Sequence, residues 1–235
     1  MKACPYKRSA QTGFTLVEIA IVLVIIGLLL GGILKGQEMI TQAKIKNVIA
    51  DMSGVSAAMY GYQDRYKALP GDDKNANGRW ASTASGTGDG VIQGVYTASA
   101  SGTTTDATKE TGFFWQHLRL AGFVSGTGAE QPFNAVSGRI GVQTSDGTAP
   151  GSGTFATGVL SDGGATPTKF TALLLCSANL PDKIAISVDA QTDDGAGKTG
   201  TVRGQKQSAP NEAIAASASD YAEDGVSQYI VCRTL

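Results

Sequence analysis

Charge is scarce in this chain. Only 17 % of its 235 residues are Asp, Glu, Lys or Arg, and they nearly cancel, to a formal −1. A near-neutral chain lacks the basic field that a nucleic-acid binder needs, so no nucleic-acid partner is expected. Histidine occurs once, at His117. One imidazole excludes histidine-rich metal sites and leaves any Ser-His-Asp triad dependent on that residue alone. No G-x-S-x-G elbow and no H-E-x-x-H helix occurs. The "GAGKT" at 195–199 is not a phosphate-binding loop, because Thr192 stands where the first glycine is required. The "GSGTFA" at 151–156 has no βαβ setting around it. With no catalytic set visible, the chain reads as non-enzymatic.

Proline is missing between Pro5 and Pro70, so one helix can run through the whole interval. Its first part, "GFTLVEIAIVLVIIGLLLGGIL" at 13–34, is apolar except for Glu18. Twenty helical residues span about 30 Å, the thickness of a bilayer core. A cleaved secretory signal is the alternative, but its apolar core is shorter and ends at a small-x-small site. Here the run continues into "KGQEMITQAKIK". Lys2, Lys7 and Arg8 precede the span with no acid among the first thirteen residues, which predicts a cytoplasmic N-terminus and a net acidic remainder beyond the membrane. Past the span, Ile45, Val48, Met52, Val55, Met59, Tyr62 and Tyr66 recur in steps of three and four, one stripe of an amphipathic helix. Pro70-Gly71 ends the pattern, so the helix is expected over 14–69, with 14–34 in the lipid. Gly27, Gly31, Gly32 and Gly36 are small residues of the kind that let membrane helices approach closely.

Apolar residues thin out in two later stretches. Residues 81–112 and 125–169 are mostly small and polar, which predicts long surface loops with a few short strands such as "GVIQGVY". Between them "TGFFWQHLRLAG" reads as a short helix capped by Thr111 and stopped by Gly122, with Phe113, Phe114, Trp115 and His117 packing inward. Tyr60, Tyr62 and Tyr66 are expected to pack on the sheet. "FTALLLC" reads as a buried strand, "PDKIAISVDA" as a helix with Pro181 in its first turn, and "TGTVRG" and "YIVCRTL" as the last strands. The fold class expected is α+β, a long N-terminal helix packed on an antiparallel sheet in a domain over 70–235.

Cysteine is also sparse. Cys4 lies in the basic leader, whereas Cys176 and Cys232 lie in apolar strand-like contexts. An oxidising compartment favours joining that pair; two buried free thiols are the alternative. "DDKNANG" contains Asp73, Asn75 and Asn77 at the alternate spacing of a calcium loop's first half, and Asp89 in "TGDG" is a candidate fourth ligand. Ala84 replaces the bidentate glutamate, so the competing reading is a polar turn. Asp189, Asp193 and Asp194 form a second acidic cluster open to the same two readings.

The stretch "GFTLVEIAIVLVIIGLLL" with its basic leader resembles the N-terminus of type IV pilins and type II secretion pseudopilins. The resemblance covers about residues 8–40, and the rest of the chain is similar only in layout. It implies cleavage by a prepilin peptidase between Gly13 and Phe14 and N-methylation of Phe14. It also implies insertion of the helix in the bilayer of a bacterial inner membrane, and assembly by an inner-membrane platform with homologous pilin or pseudopilin subunits. The product would be a pilus or pseudopilus in the periplasm or at the cell surface. The family's glutamate falls on Glu18. A carboxylate in lipid needs a partner. Cleavage creates one, a cationic amine on Phe14, which methylation leaves charged. A snorkelling glutamate is the simpler alternative for that residue. For the whole chain the alternative is an anchored adhesin, binding module or enzyme that does not polymerise. The leader of thirteen residues is longer than in many type IVa pilins, and the size and loop content of the remaining chain fit a minor pilin or a large pseudopilin better than a major pilin.

Overall fold

A computed structural model of the chain describes residues 13, 15–98, 110–145, 160–162 and 170–235. It divides into two units, Met1–Gln42 and Ala43–Leu235.

Helix α1 runs Leu16–Tyr66. Among the described residues it is the one helix long and apolar enough to cross a membrane. Among the described residues of the first unit its large apolar side chains are exposed: Leu16 is 86 %, Leu28 73 % and Leu34 67 % exposed. The glycines at 27, 31, 32 and 36 have open space where a Cβ would stand. In the second unit the predicted stripe is buried, from Ile45 through Val48, Met52, Val55 and Met59 to Tyr62. Tyr66 packs half-buried on Trp80. Tyr60 differs from expectation: it is 54 % exposed, because it sits off the stripe that Met59 and Tyr62 define. The helix stops three residues short of the predicted end. Lys67 adopts a left-handed φ of 53°, and Pro70 follows.

The sheet has four antiparallel strands in the order β1-β2-β4-β3. They are β1 Ile140–Thr144, β2 Leu173–Pro181, β3 Val202–Lys206 and β4 Gln228–Thr234. Side chains alternate between its faces. Leu175, Val231, Tyr229, Val142 and Val202 face a core made with the α1 stripe, with Phe114, Trp115 and Leu118 of α3 (Glu110–Leu120), and with Ile184, Ala185 and Val188 of α4 (Asp182–Thr192). Leu174, Cys176, Ile230 and Cys232 face a second apolar layer formed by Tyr96, Leu160, Phe170, Ile214 and Ala218. Burial on both faces is why "ALLLC" is apolar without interruption. Cys176 and Cys232 are register partners on β2 and β4 and are joined in a disulfide, with Cα atoms 4.0 Å apart. On the other face Arg233 donates to Ser56 Oγ of α1 at 2.7 Å.

Three local expectations are corrected. "GVIQGVY" is not a strand. Gly90 and Gly94 have φ of 86° and 114°, which breaks the extended path. The segment instead lies beside β1, where the Thr144 hydroxyl accepts from the Ile92 amide and the Thr144 amide donates to the Ile92 carbonyl. β1 itself lies inside a stretch read as loop. Thr111 is not the cap of α3: the helix begins at Glu110 and Thr111 is buried within its first turn. Gly122 does stop α3, with φ 80° and the Phe123 amide bonded back to Leu118. Parts of both predicted loops, 99–109, 146–159 and 163–169, lie outside the described residues.

Candidate functional site

The N-terminal site starts from the sequence "TLVE". Thr15 and Glu18 form a reciprocal capping box on α1. The Thr15 amide and hydroxyl donate to Glu18 Oε2 at 2.8 and 2.7 Å, and the Glu18 amide donates back to Thr15 Oγ1 at 3.3 Å. The carboxylate therefore closes the first turn of the helix, where the helix dipole favours negative charge. This S/T-x-x-E spacing was legible in the sequence and gives Glu18 a local role beside the pairing role implied by the family. Ile19, Ile21 and Val22 flank it and are about half exposed. Gly13 is exposed, with open space where a Cβ would stand. Phe14 lies outside the described residues.

Two of the four proposed calcium ligands, Asp73 and Asn77, are bonded to other groups. Asp73 is 1 % exposed and already used: Oδ2 accepts from Tyr62 Oη at 2.7 Å and pairs with Arg79, and Oδ1 accepts the Asn75 amide at 2.9 Å. That last bond is an Asx turn, and the polar-turn reading fits it. Asn77 Nδ2 donates to the Thr83 carbonyl at 2.8 Å, holding the loop that follows α2 (Ala76–Arg79).

Asp89 joins different partners. One oxygen each of Asp72, Asp89 and Glu110 lies within 4.8 Å of the others. Asp72 collects the amides of Gly88, Asp89 and Gly90 at 2.5–3.3 Å and the Thr87 hydroxyl at 3.1 Å. Glu110 collects the amides of Thr87 and Gln93 at 2.8 and 3.0 Å. Burial holds the Glu110 carboxyl above the usual carboxylate range, and the charge of Asp72 adds to that. Sequence reading missed Asp72 and Glu110. Asp72 was overshadowed by the spaced motif beginning at the next residue, and Glu110 comes from a helix 38 positions later in the chain.

Asp189, Asp193 and Asp194 do converge. Asp189 accepts from Tyr221 Oη at 2.8 Å and the Gly195 amide at 3.1 Å. Asp193 accepts the amides of Thr201 and Val202, and Asp194 the Ala196 amide and the Thr199 hydroxyl. These bonds pin the α4–β3 loop. Lys198 of "GAGKT" pairs with Asp220 at 2.5 Å.

His117 is fully buried. Its Nδ1 accepts the Gly71 amide at 2.9 Å, so the proton sits on Nε2 and is donated to the Ala84 carbonyl at 3.0 Å. Its rings neighbours are Tyr62 and Phe113. The histidine is a pin between the chain after α1, the 80s loop and α3.

A family model described as the prokaryotic N-terminal methylation motif matches residues 8–34. No curated protein and no solved structure matches the chain. The matched segment holds the basic leader's Arg8, the Gly13-Phe14 junction, the Thr15–Glu18 cap and the exposed apolar part of α1. This chain therefore carries the hallmark of the prepilin-type signal of type IV pilins and pseudopilins, on a pilin-like α+β architecture.

Proposed function

We propose that the chain is a structural subunit, a pilin, minor pilin or pseudopilin, that polymerises through α1 into a type IV pilus-like filament. The observation that carries this is the methylation motif over 8–34 on a helix whose large apolar side chains from Leu16 to Leu34 are exposed. Prepilin peptidase cuts between Gly13 and Phe14. The chain is held in the inner membrane by a single span until the assembly platform transfers it, and the exposed apolar helices pack on one another as they leave the lipid. Before cleavage, position 14 offers only an amide, and the Glu18 carboxylate is occupied with Thr15 through Oε2. After cleavage the Phe14 amine of a neighbouring subunit is a cation, and a charge-assisted bond to Glu18 in a water-poor filament core is stronger than the neutral donors of the cap. Processing thereby licenses assembly.

Glu18→Gln and Glu18→Ala test this together. Gln keeps the capping-box acceptor but not the charge, whereas Ala loses both. Both variants should insert in the membrane, and filament incorporation should fall by roughly tenfold or more in each. Normal incorporation of the Gln variant would remove the ion pair from the mechanism and leave Glu18 as a cap.

A further inference from the structure

The Asp72, Asp89 and Glu110 carboxylates pose a charge problem. Asp72 is 3 % and Glu110 0 % exposed. Among the described residues, no Lys or Arg forms an ion pair with any of the three. Burial and the neighbouring Asp72 charge both disfavour the ionised form of Glu110, and a cation held between the carboxylates would offset that cost.

Gln93 supplies an independent observation. It is 7 % exposed. Its backbone amide donates to Glu110 Oε2 at 3.0 Å and its side-chain Nε2 to Asp89 Oδ2 at 3.2 Å, so the side chain points into the group. Its Oε1 is buried and has no hydrogen-bond partner. A buried carbonyl-type oxygen normally has one. The carboxylate its amide group meets, that of Asp89, donates nothing in its ionised form. A cation satisfies the amide oxygen and the carboxylates at once.

We propose that Asp72, Asp89, Glu110 and the Gln93 side-chain oxygen bind a divalent cation of the calcium type. Calcium takes oxygen ligands at 2.3–2.6 Å, so two of its ligands stand at most about 5 Å apart; magnesium, at 2.0–2.1 Å, requires about 4 Å. The three carboxylate oxygens lie within calcium's reach of one another, and three carboxylates with an amide oxygen make the many-membered, flexible oxygen set that calcium takes, whereas magnesium is usually held by one or two carboxylates and several waters. Three carboxylates and one amide leave two or more positions for water, and the exposed Asp89 gives the ion a way in. The bound ion clamps the 87–93 loop to the residues after α1 and to the start of α3. The Asp189–Asp193–Asp194 group has no such orphan oxygen among the described residues, and its carboxylates are spent on the α4–β3 loop.

Thermal unfolding of the full chain, extracted in detergent and stripped with EDTA, tests the site. Calcium chloride at tenfold its dissociation constant should raise the midpoint by about 3–5 °C, and magnesium by clearly less. Asp89→Asn, at an exposed position that tolerates the change, should abolish the shift, while Asp194→Asn should leave it intact. No shift in the wild-type chain overturns the proposal. So does an equal shift with magnesium, a shift that survives Asp89→Asn, or one that Asp194→Asn removes.

Discussion

His117 shows what a single buried side chain does here. Burial lowers its pKa to about 4, although the bond to the Ala84 carbonyl works the other way. The folded protein thus holds the ring neutral while the unfolded chain protonates near 6.5. Between those values the unfolded state binds more protons. Stability from this group is complete at neutral pH and is lost as pH falls from 6.5 to about 4, by roughly 3 kcal/mol. Glu110 and Asp189, whose pKa values are raised by burial, act in the opposite sense and blunt the net slope. Comparison with His117→Asn isolates the histidine, because Asn still accepts the Gly71 amide but does not titrate. Denaturant midpoints of the wild type should drop more steeply than those of the variant between pH 6.5 and 4.5, and parallel slopes would refute the neutral-pin assignment. That His117 turns inward was readable from its aromatic neighbours in "FFWQHLRL". Its two partners were not, because Gly71 and Ala84 lie 46 and 33 residues away.

At the scale of elements, the sheet's centre rests on the pairing of β2 with β4. The disulfide joins strands that are already hydrogen-bonded, across a sequence separation of 56. In the chain-entropy account a crosslink of that span stabilises by about 4 kcal/mol, acting on the unfolded chain. Reduction should therefore lower the urea midpoint of the outer domain by an equivalent of about 2–4 kcal/mol while leaving strand content by circular dichroism unchanged under native conditions. Loss of sheet on reduction without denaturant would mean the ladder cannot hold the register alone. The strong apolar runs gave away β2 and β4. β1 escaped, because "IGVQT" is short and sits between small polar stretches, and it is defined by the partner it finds in β2. "GVIQGVY" made the opposite error, since its alternation resembles a strand but two glycines take left-handed backbone.

For the whole molecule, the testable quantity is the N-terminus of the protein taken from native membranes. A terminal peptide beginning at Phe14 and about 14 Da heavier than its sequence mass is expected after cleavage and N-methylation. A peptide beginning at Met1 would mean a permanent anchor and end the filament reading. The sequence by itself determined the motif, the membrane-length apolar run, the buried stripe of α1 and the pair of apolar strands that carry Cys176 and Cys232. These are local patterns, written in spacing and hydropathy, and each residue's role follows from its near neighbours. Only the tertiary structure decided which acids meet. Asp73 and Asn77 share a motif yet spend their side chains on separate contacts, while Asp72, Asp89 and Glu110 share no motif and converge. Convergence depends on how loops close between distant elements. That closure is set by glycine backbone geometry and by amides seeking carboxylates, neither of which leaves a periodic trace in the sequence.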